Sequence, residues 1–367
     1  MHSKERNKMK RIGILTSGGD CSGLNAAIRA VVFSAIERGW EVYGIHNATN
    51  GLILRPLAYH KMSLAEFEFP FATLGGTMLG TTNQGNPNVF PKPNGEKEKL
   101  TNEQIIERFK EGIKELGLEA LVVIGGDGSM NIVSRYCKAA GVAIVGIPKT
   151  IDNDAPGTDL AIGFATARSV VADALDKLNT TAGSHQRVMV VEVMGRGAGH
   201  LALESAIAGF ADVALIPEIP YTYEGVLNKL KKMHEKGCTH SLVVVAEGIK
   251  SPEGKNSFAT NGRTFGGISE YFVERLSKDG FNVRGNVLGH IQRSGNPVAV
   301  DRILASGFGV HAVELLAQNK TNRVVTHKDG KITDISLEDA LKIGNSPVNP
   351  NGEMVQIARQ LGIYVGE

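Results

Sequence analysis

The stretch LVVIGGDGSMNIVSRYCKAAGVAIVGIPKTIDND, residues 121–154, decides the reading of the whole chain. Two short apolar runs, 121–124 and 143–147, each end abruptly in a polar, turn-forming cluster. Runs of that length, β-branched and bounded by Gly, Pro or Asp, are expected as buried strands of a parallel sheet. The segment between them, 129–140, has helical length and places Ile132, Val133 and Cys137 at helical spacing. This makes a β-α-β unit, and both strands deliver their reactive residues at the carboxyl edge, where open α/β sheets bind ligands.

The first edge carries Gly125, Gly126, Asp127, Gly128 and Ser129. Glycines let backbone N–H groups approach a phosphate chain, and the next helix begins there with the positive end of its dipole. Asp127, flanked by glycines, is placed to meet a hard cation such as Mg²⁺. The same residues also describe a tight strand-to-helix turn with Asp127 or Ser129 as N-cap, and short glycine motifs do not separate the two readings. At the second edge, Asp152 and Asp154 stand at i and i+2, which in an extended segment puts both carboxylates on one side. Like charges that close raise one another's proton affinity unless a cation or Arg intervenes. Such a pair suits one carboxylate taking a proton while the other is held, although an Asx-rich turn has the same composition. Two such clusters on adjacent strands weigh against the plain-turn readings.

Composition sets the bounds. A chain of 367 residues is long enough for two lobes, each with its own core. Its 42% hydrophobic and 21% charged content is that of a soluble globular protein, and a net charge of +2 argues for neither nucleic acid nor an anionic membrane as partner. The three cysteines, Cys21, Cys137 and Cys238, are too few and scattered for a disulfide frame or zinc site, as expected in a reducing cytosol. No stretch approaches the roughly 18 apolar residues of a spanning helix, and the start, MHSKERNKMKR, reads as a frayed basic tail without a signal-peptide core. A cytoplasmic protein is expected.

Strand, glycine loop and helix recur along the chain. RIGILT (11–16) runs into Ser17-Gly18-Gly19-Asp20 and a helix from about Asn25 to Gly39, without the spacing of a dinucleotide fingerprint. Residues 73–94 read as a long ligand-facing loop, and 102–116 as an amphipathic helix without chemistry. After Asp154 the pattern restarts: helix 162–178, strand 188–193, the loop Met194-Gly195-Arg196-Gly197, and strands at 213–216, 241–246 and 282–288. Asp329-Gly330 marks a hairpin. The expected fold class is therefore α/β, two-lobed, each lobe a mainly parallel sheet flanked by helices, with the active site in the cleft. Arg196, His290 and Arg293 lie just past strand ends, Arg187 precedes a strand and Arg284 falls within one. Together with Glu247 at another strand end, this set suits a phosphorylated sugar, which needs both anion-binding forks and hydroxyl acceptors.

In order along the chain, SGGDCSGLNAAIR, GGTMLGT, GGDGS, PKTIDND, SHQR, MGRGAGHLAL and LGHIQRSGNP resemble the 6-phosphofructokinase family, from about residue 11 to about 312. The resemblance implies transfer of a terminal phosphoryl group from Mg-ATP to the 1-hydroxyl of fructose 6-phosphate. It implies a donor lobe of residues 1–163 and 292–342, and a sugar lobe of residues 164–291 and 343–367. Asp152 would receive the hydroxyl proton, Asp127 would hold Mg²⁺, and Asp154 would lie close by. Gly19, Gly126, Gly128 and Ser129 would line the donor phosphates, Thr150 the transferring group, and Arg196 would neutralise moving charge. Met194 and Glu247 would contact the sugar, Gly195 would belong to the same substrate site, and His290 and Arg293 would meet the sugar's phosphate. Arg187 and Arg284 would come from a neighbouring subunit of a homotetramer or homodimer.

Three departures from the family pattern matter. Lys149 stands where common ATP-using relatives have glycine and pyrophosphate users have lysine, while Gly128 stands where pyrophosphate users have an acid. That pair resembles an ATP-using subgroup, with the pyrophosphate-dependent enzyme as the alternative. Asn83 replaces an arginine aimed at the transferring phosphate, and Lys149 is expected to compensate in part. Of the basic cluster that binds effectors in allosteric relatives, Arg29 and Lys236 remain, but Phe33, Asn179 and Cys238 occupy the other positions. A different kinase with a GGDG loop would not need the arginine set, and a non-catalytic sugar-phosphate sensor would not need Asp127 and Asp152.

Overall fold

The computed structural model describes residues 10–68, 70–83, 88–91, 97–252 and 266–367. Most of the expected basic tail, and residues 84–87 and 92–94 of the long loop, lie outside these. The chain begins with β1 (Arg11–Ser17), α1 (Leu24–Ile36), β2 (Glu41–Ile45), α2 (Asn50–Ile53), β3 (Tyr59–Lys61), β4 (Val89–Pro91) and β5 (Lys97–Lys99). Then come α3 (Asn102–Leu116), β6 (Ala120–Gly125), α4 (Asp127–Ala140), β7 (Ala143–Thr150) and β8 (Ile162–Gly163). Next are α5 (Phe164–His185), β9 (Val188–Val193), α6 (His200–Ala208), β10 (Val213–Leu215), α7 (Tyr223–Glu235), β11 (Ser241–Ala246), α8 (Ile268–Lys278) and β12 (Val283–Val287). The chain closes with α9 (Ala299–Ala317), β13 (Arg323–Lys328), β14 (Lys331–Ser336), α10 (Leu337–Ile343) and α11 (Glu353–Gln360).

Two compact units emerge. The first comprises Met1–Thr150, Ala155–Gly163 and Gly295–Asn345; the second comprises Ile151–Asp154, Phe164–Ser294 and Ser346–Glu367. In the first, strands run in the order β14-β13-β7-β6-β1-β2-β3, with β8 on β7. The inner strands are parallel, and β3 and β14 close the edges antiparallel. Residues of β6 are buried on both faces, as parallel strands under helices must be. Leu15, Leu121 and Val123 pack with Phe109 and Ile113 of α3. That helix has the bounds its sequence suggests: Thr101 and Gln104 form a capping box, and Gly117 ends it in the left-handed region. In the second unit β10-β11-β9-β12 are all parallel.

Some boundaries differ from the sequence expectation. Helix α4 starts at Asp127 rather than Ser129, with Gly126 at its N-cap and no side-chain cap. Strand β7 continues to Thr150 because Lys149 and Thr150 pair with Ile162 and Gly163, which therefore leave the expected helix and form β8. Residues 151–154 are not extended: Asn153 has φ 52°, a left-handed value that Asn tolerates, so the expectation of an extended Asp-x-Asp segment is corrected to a bend. Downstream, Thr158 Oγ1 accepts from His327 N–H, and Asp159 takes Lys328 Nζ and Asp329 N–H, which ties this loop to the β13–β14 hairpin.

Helices α1 and α9 pack so closely that a Cβ on Gly309 would lie 2.6 Å from Ala30 Cβ and 2.8 Å from the Ala27 carbonyl oxygen. Backbone cannot yield as a flexible side chain does. Gly309→Ala is expected to destabilise the protein by about 1–3 kcal/mol, read as a lower midpoint in urea; an unchanged midpoint would mean the helices separate at no cost.

Candidate active site

In the first unit three strands end on one row. Ser17 pairs with Gly125, and Gly125 with Pro148, so the turns after β1, β6 and β7 emerge side by side. A Cβ on Gly18 would lie 3.2 Å from Ser129 Oγ and 3.3 Å from Lys149 Nζ, which puts the glycine turn, the first turn of α4 and Lys149 together. Lys149 is 4% exposed, and its Nζ donates to the Gly19 carbonyl at 2.7 Å. Around Gly128 there is open space: a Cβ there would meet nothing within 4 Å. Asp127, in the first turn of α4, lines a pocket with Gly125, Gly126 and Pro148. Among the described residues no group of three or more His, Cys, Asp or Glu side chains is arranged to hold a metal ion. A cation at Asp127 would therefore take most of its oxygens from bound phosphate and water, the habit of Mg²⁺.

The second unit gathers the acidic residues. Asp152 is 6% exposed. Burial, with the neighbouring Asp154 charge, pushes its carboxyl up to about 6, while Arg293 and Arg196 pull it down and Glu247 adds to the rise. Strands β9 and β11 end in register, Val193 opposite Ala246, and deliver Met194–Arg196 and Glu247 at one edge. Arg196 has φ 50°, its N–H donates to Glu247 Oε1 at 3.1 Å, and a Cβ on Gly248 would fall 1.7 Å from its carbonyl oxygen. Only glycine fits there. Burial raises the Glu247 carboxyl, opposed by the N–H of Arg196. Arg293 and exposed His290 lie in the short 3₁₀ turn Gly289–Arg293 that follows β12.

Arg187 and Arg284 lie elsewhere. Arg187 precedes β9, and Arg284 pairs with Met189. Both are near the amino-terminal end of β9, roughly 15–25 Å along the strand from the Met194 end. The second unit by itself does not bring these two arginines to Asp152.

The model of the family Phosphofructokinase matches residues 11–316. The chain belongs to the phosphofructokinase family. A relative from Nostoc sp., ATP-dependent 6-phosphofructokinase 1, is 47% identical over 98% of this chain and 100% of its own length. ATP-dependent 6-phosphofructokinase of Chloroflexus aggregans is 43% identical over 98% and 99%. Among solved structures, phosphofructokinase from Saccharomyces cerevisiae superposes with a TM-score of 0.77 at 29% identity over 91% of this chain, which spans only 45% of the yeast chain. The pyrophosphate-dependent phosphofructokinase of Marinobacter aquaeolei shares the fold, with a TM-score of 0.76 at 20% identity over 98% of this chain and 93% of its own.

Two buried side chains that fasten the loops of the second unit escape a sequence reading. Gln292, 1% exposed, accepts from Met194 N–H at 3.1 Å and donates to the Gly289 carbonyl, joining the two loops. Glu192, 3% exposed, accepts from the N–H groups of Gly267 and Ser269 at the start of α8. The signal for Glu192 was a lone carboxylate inside the apolar run VMVVEV; Gln292 had none beyond its place in HIQR.

Asp152 also makes a stability prediction. Its pKa in the fold lies above the ordinary 3.8, so folding favours the protonated form. The cost of the buried charge is present in full above about 6 and fades as pH falls toward 3.8. Asp152→Asn should therefore melt at a higher temperature than the parent at pH 7.5, by a margin that shrinks at pH 5. Thermal melts at both pH values check this, and an equal margin at both would contradict it.

Proposed function

We propose that the chain is an ATP-dependent 6-phosphofructokinase, moving the terminal phosphoryl group of Mg-ATP to the 1-hydroxyl of fructose 6-phosphate to give fructose 1,6-bisphosphate and ADP. The observation that carries this reading is Asp152, a buried carboxyl raised to about 6 and flanked by Arg196, Arg293 and Glu247. A base with that affinity is ionised at neutral pH yet takes a proton more readily than an ordinary aspartate. The relatives named as ATP-dependent support the donor, and so does the open space at Gly128.

In this reading Asp152 removes the hydroxyl proton as the sugar oxygen attacks. Arg196 balances charge on the moving phosphoryl group, which Thr150 also meets. Phosphoryl transfer asks mainly for such positioning and charge. Gly19, Gly126, Gly128 and Ser129 line the donor phosphates in the first unit. Met194, Gly195, Glu247, His290 and Arg293 hold the sugar phosphate in the second unit, with Asp154 beside the base. Asp127 would hold Mg²⁺, which when bound neutralises the donor's phosphate oxygens. Arg187 and Arg284, at the far end of β9, serve the sugar phosphate of a neighbouring subunit, so the working form is a homotetramer or homodimer. No helix among the described residues is long and apolar enough to cross a membrane. The enzyme works in the cytosol, as a glycolytic kinase does.

Initial rates with Mg-ATP and Mg-pyrophosphate on fructose 6-phosphate test the donor. ATP is expected to support turnover and pyrophosphate to support little; the reverse would overturn the assignment. Asp152→Ser should lower kcat by about 10²–10⁴-fold, and parental turnover in that variant would refute the proton-transfer role. Gly128→Asp places an acid in the open space and is expected to raise the KM for ATP by about tenfold or more, with the KM for fructose 6-phosphate little changed.

A further inference from the structure

Strand β1 leads into a turn whose two successive carbonyls are both taken by side chains from other parts of the first unit. Thr81 Oγ1 donates to the Gly18 carbonyl at 2.6 Å, and Lys149 Nζ donates to the Gly19 carbonyl at 2.7 Å. The Gly18 N–H is also engaged, donating to the Thr82 carbonyl at 3.2 Å. Gly18 is thus gripped at both its polar groups by one short segment. That segment, residues 74–82, is itself fastened. Asn25, 3% exposed, donates to the carbonyls of Leu74 and Gly75 and accepts from Met78 N–H at 2.8 Å. Thr16, fully buried, donates to the Gly80 carbonyl at 2.8 Å. From the Asn25 and Thr16 anchors the segment arrives at Gly18 with little freedom.

The cis peptide bond among the described residues is Arg55–Pro56, so the two peptides of the turn are trans. In a trans peptide the C=O of one residue and the N–H of the next point in opposite directions. A side chain that holds the Gly18 carbonyl therefore sets where the Gly19 N–H points. One that holds the Gly19 carbonyl does the same for Asp20 N–H. Glycine has no Cβ to restrict these planes, so without the two bonds each could rotate and turn a carbonyl toward an incoming phosphate.

We propose that Thr81 and Lys149 are positioning residues that lock two successive peptide planes of the glycine turn, so that it presents N–H groups rather than carbonyl oxygens to the phosphate donor. This rests on the kinase reading above, which makes this turn part of the donor site. Lys149 then acts chiefly on the turn, not as a stand-in charge for the arginine missing at Asn83.

The test compares Thr81→Val, Thr81→Ser and Lys149→Met in the full-length protein. Affinity for a non-hydrolysable Mg-ATP analogue is measured by calorimetry, and KM and kcat are measured for both substrates. Loss of one neutral hydrogen bond in Thr81→Val should weaken analogue binding and raise the KM for ATP about three- to tenfold. The KM for fructose 6-phosphate should stay within twofold, and Thr81→Ser should recover most of the loss. Lys149→Met should raise the KM for ATP by about tenfold or more. A fall in kcat alone for Lys149→Met would assign it a charge role and overturn its place in the lock. Unchanged analogue affinity in Thr81→Val, or a Ser variant as impaired as Val, would overturn the proposal while parental turnover with ATP left the kinase reading standing. A parent that neither bound the analogue nor turned over ATP would refute the kinase reading and this inference with it.

Discussion

Register between parallel strands is the constraint from which the first unit's chemistry follows. Because Ser17, Gly125 and Pro148 share one row, the turns that follow them open at the same level. Parallel strands buried on both faces cannot slip without exposing their apolar residues, so this alignment is held by the core itself. Lys149, the next residue along β7, is then one step from the row and reaches Gly19, which lies 130 residues away in sequence. Glycine-rich turns supply no rigidity of their own. Here it is imported from hydroxyl, amide and ammonium groups on neighbouring elements.

The second unit works by a different balance. Burial makes charge on Asp152 costly, and Asp154 and Glu247 add to that cost, while Arg196 and Arg293 relieve part of it. A carboxyl held between these influences is poised to exchange a proton, which an ordinary exposed aspartate is not. The arrangement needs Arg196 in a left-handed backbone conformation, tied through its N–H to Glu247 and closed upon by Gly248. Such local strain persists only where the surroundings over-determine it.

Much of this was legible beforehand, and what was not has physical causes. The strands at 188–193 and 241–246 and the helix at 102–116 have the bounds their patterns suggest, because continuous apolar runs and a capping box are local signals. The family, and with it the α/β fold, followed from long motifs in order. The conformation of residues 151–154 is not legible in the sequence, because charge spacing says nothing of backbone hand and Asn153 takes a left-handed value that bends the segment. Hydrogen bonds that span more than a hundred residues, such as Lys149 to Gly19, leave no trace in local pattern. Gln292 and Glu192 are silent in the sequence because each accepts from backbone N–H groups whose need for a partner appears only once the loops are built.

The tether between Asp159 and the β13–β14 hairpin has a bearing on synthesis. Its partners, Lys328 and Asp329, are translated about 170 residues after Asp159 itself. Strands β1, β6 and β7 can pair while the nascent chain is still growing, but the bonds from Lys328 and Asp329 to Asp159 must wait until those residues have been made. Contacts of such separation close slowly. The tether is thus among the later bonds of the first unit to form, made by residues to which no reacting group is assigned.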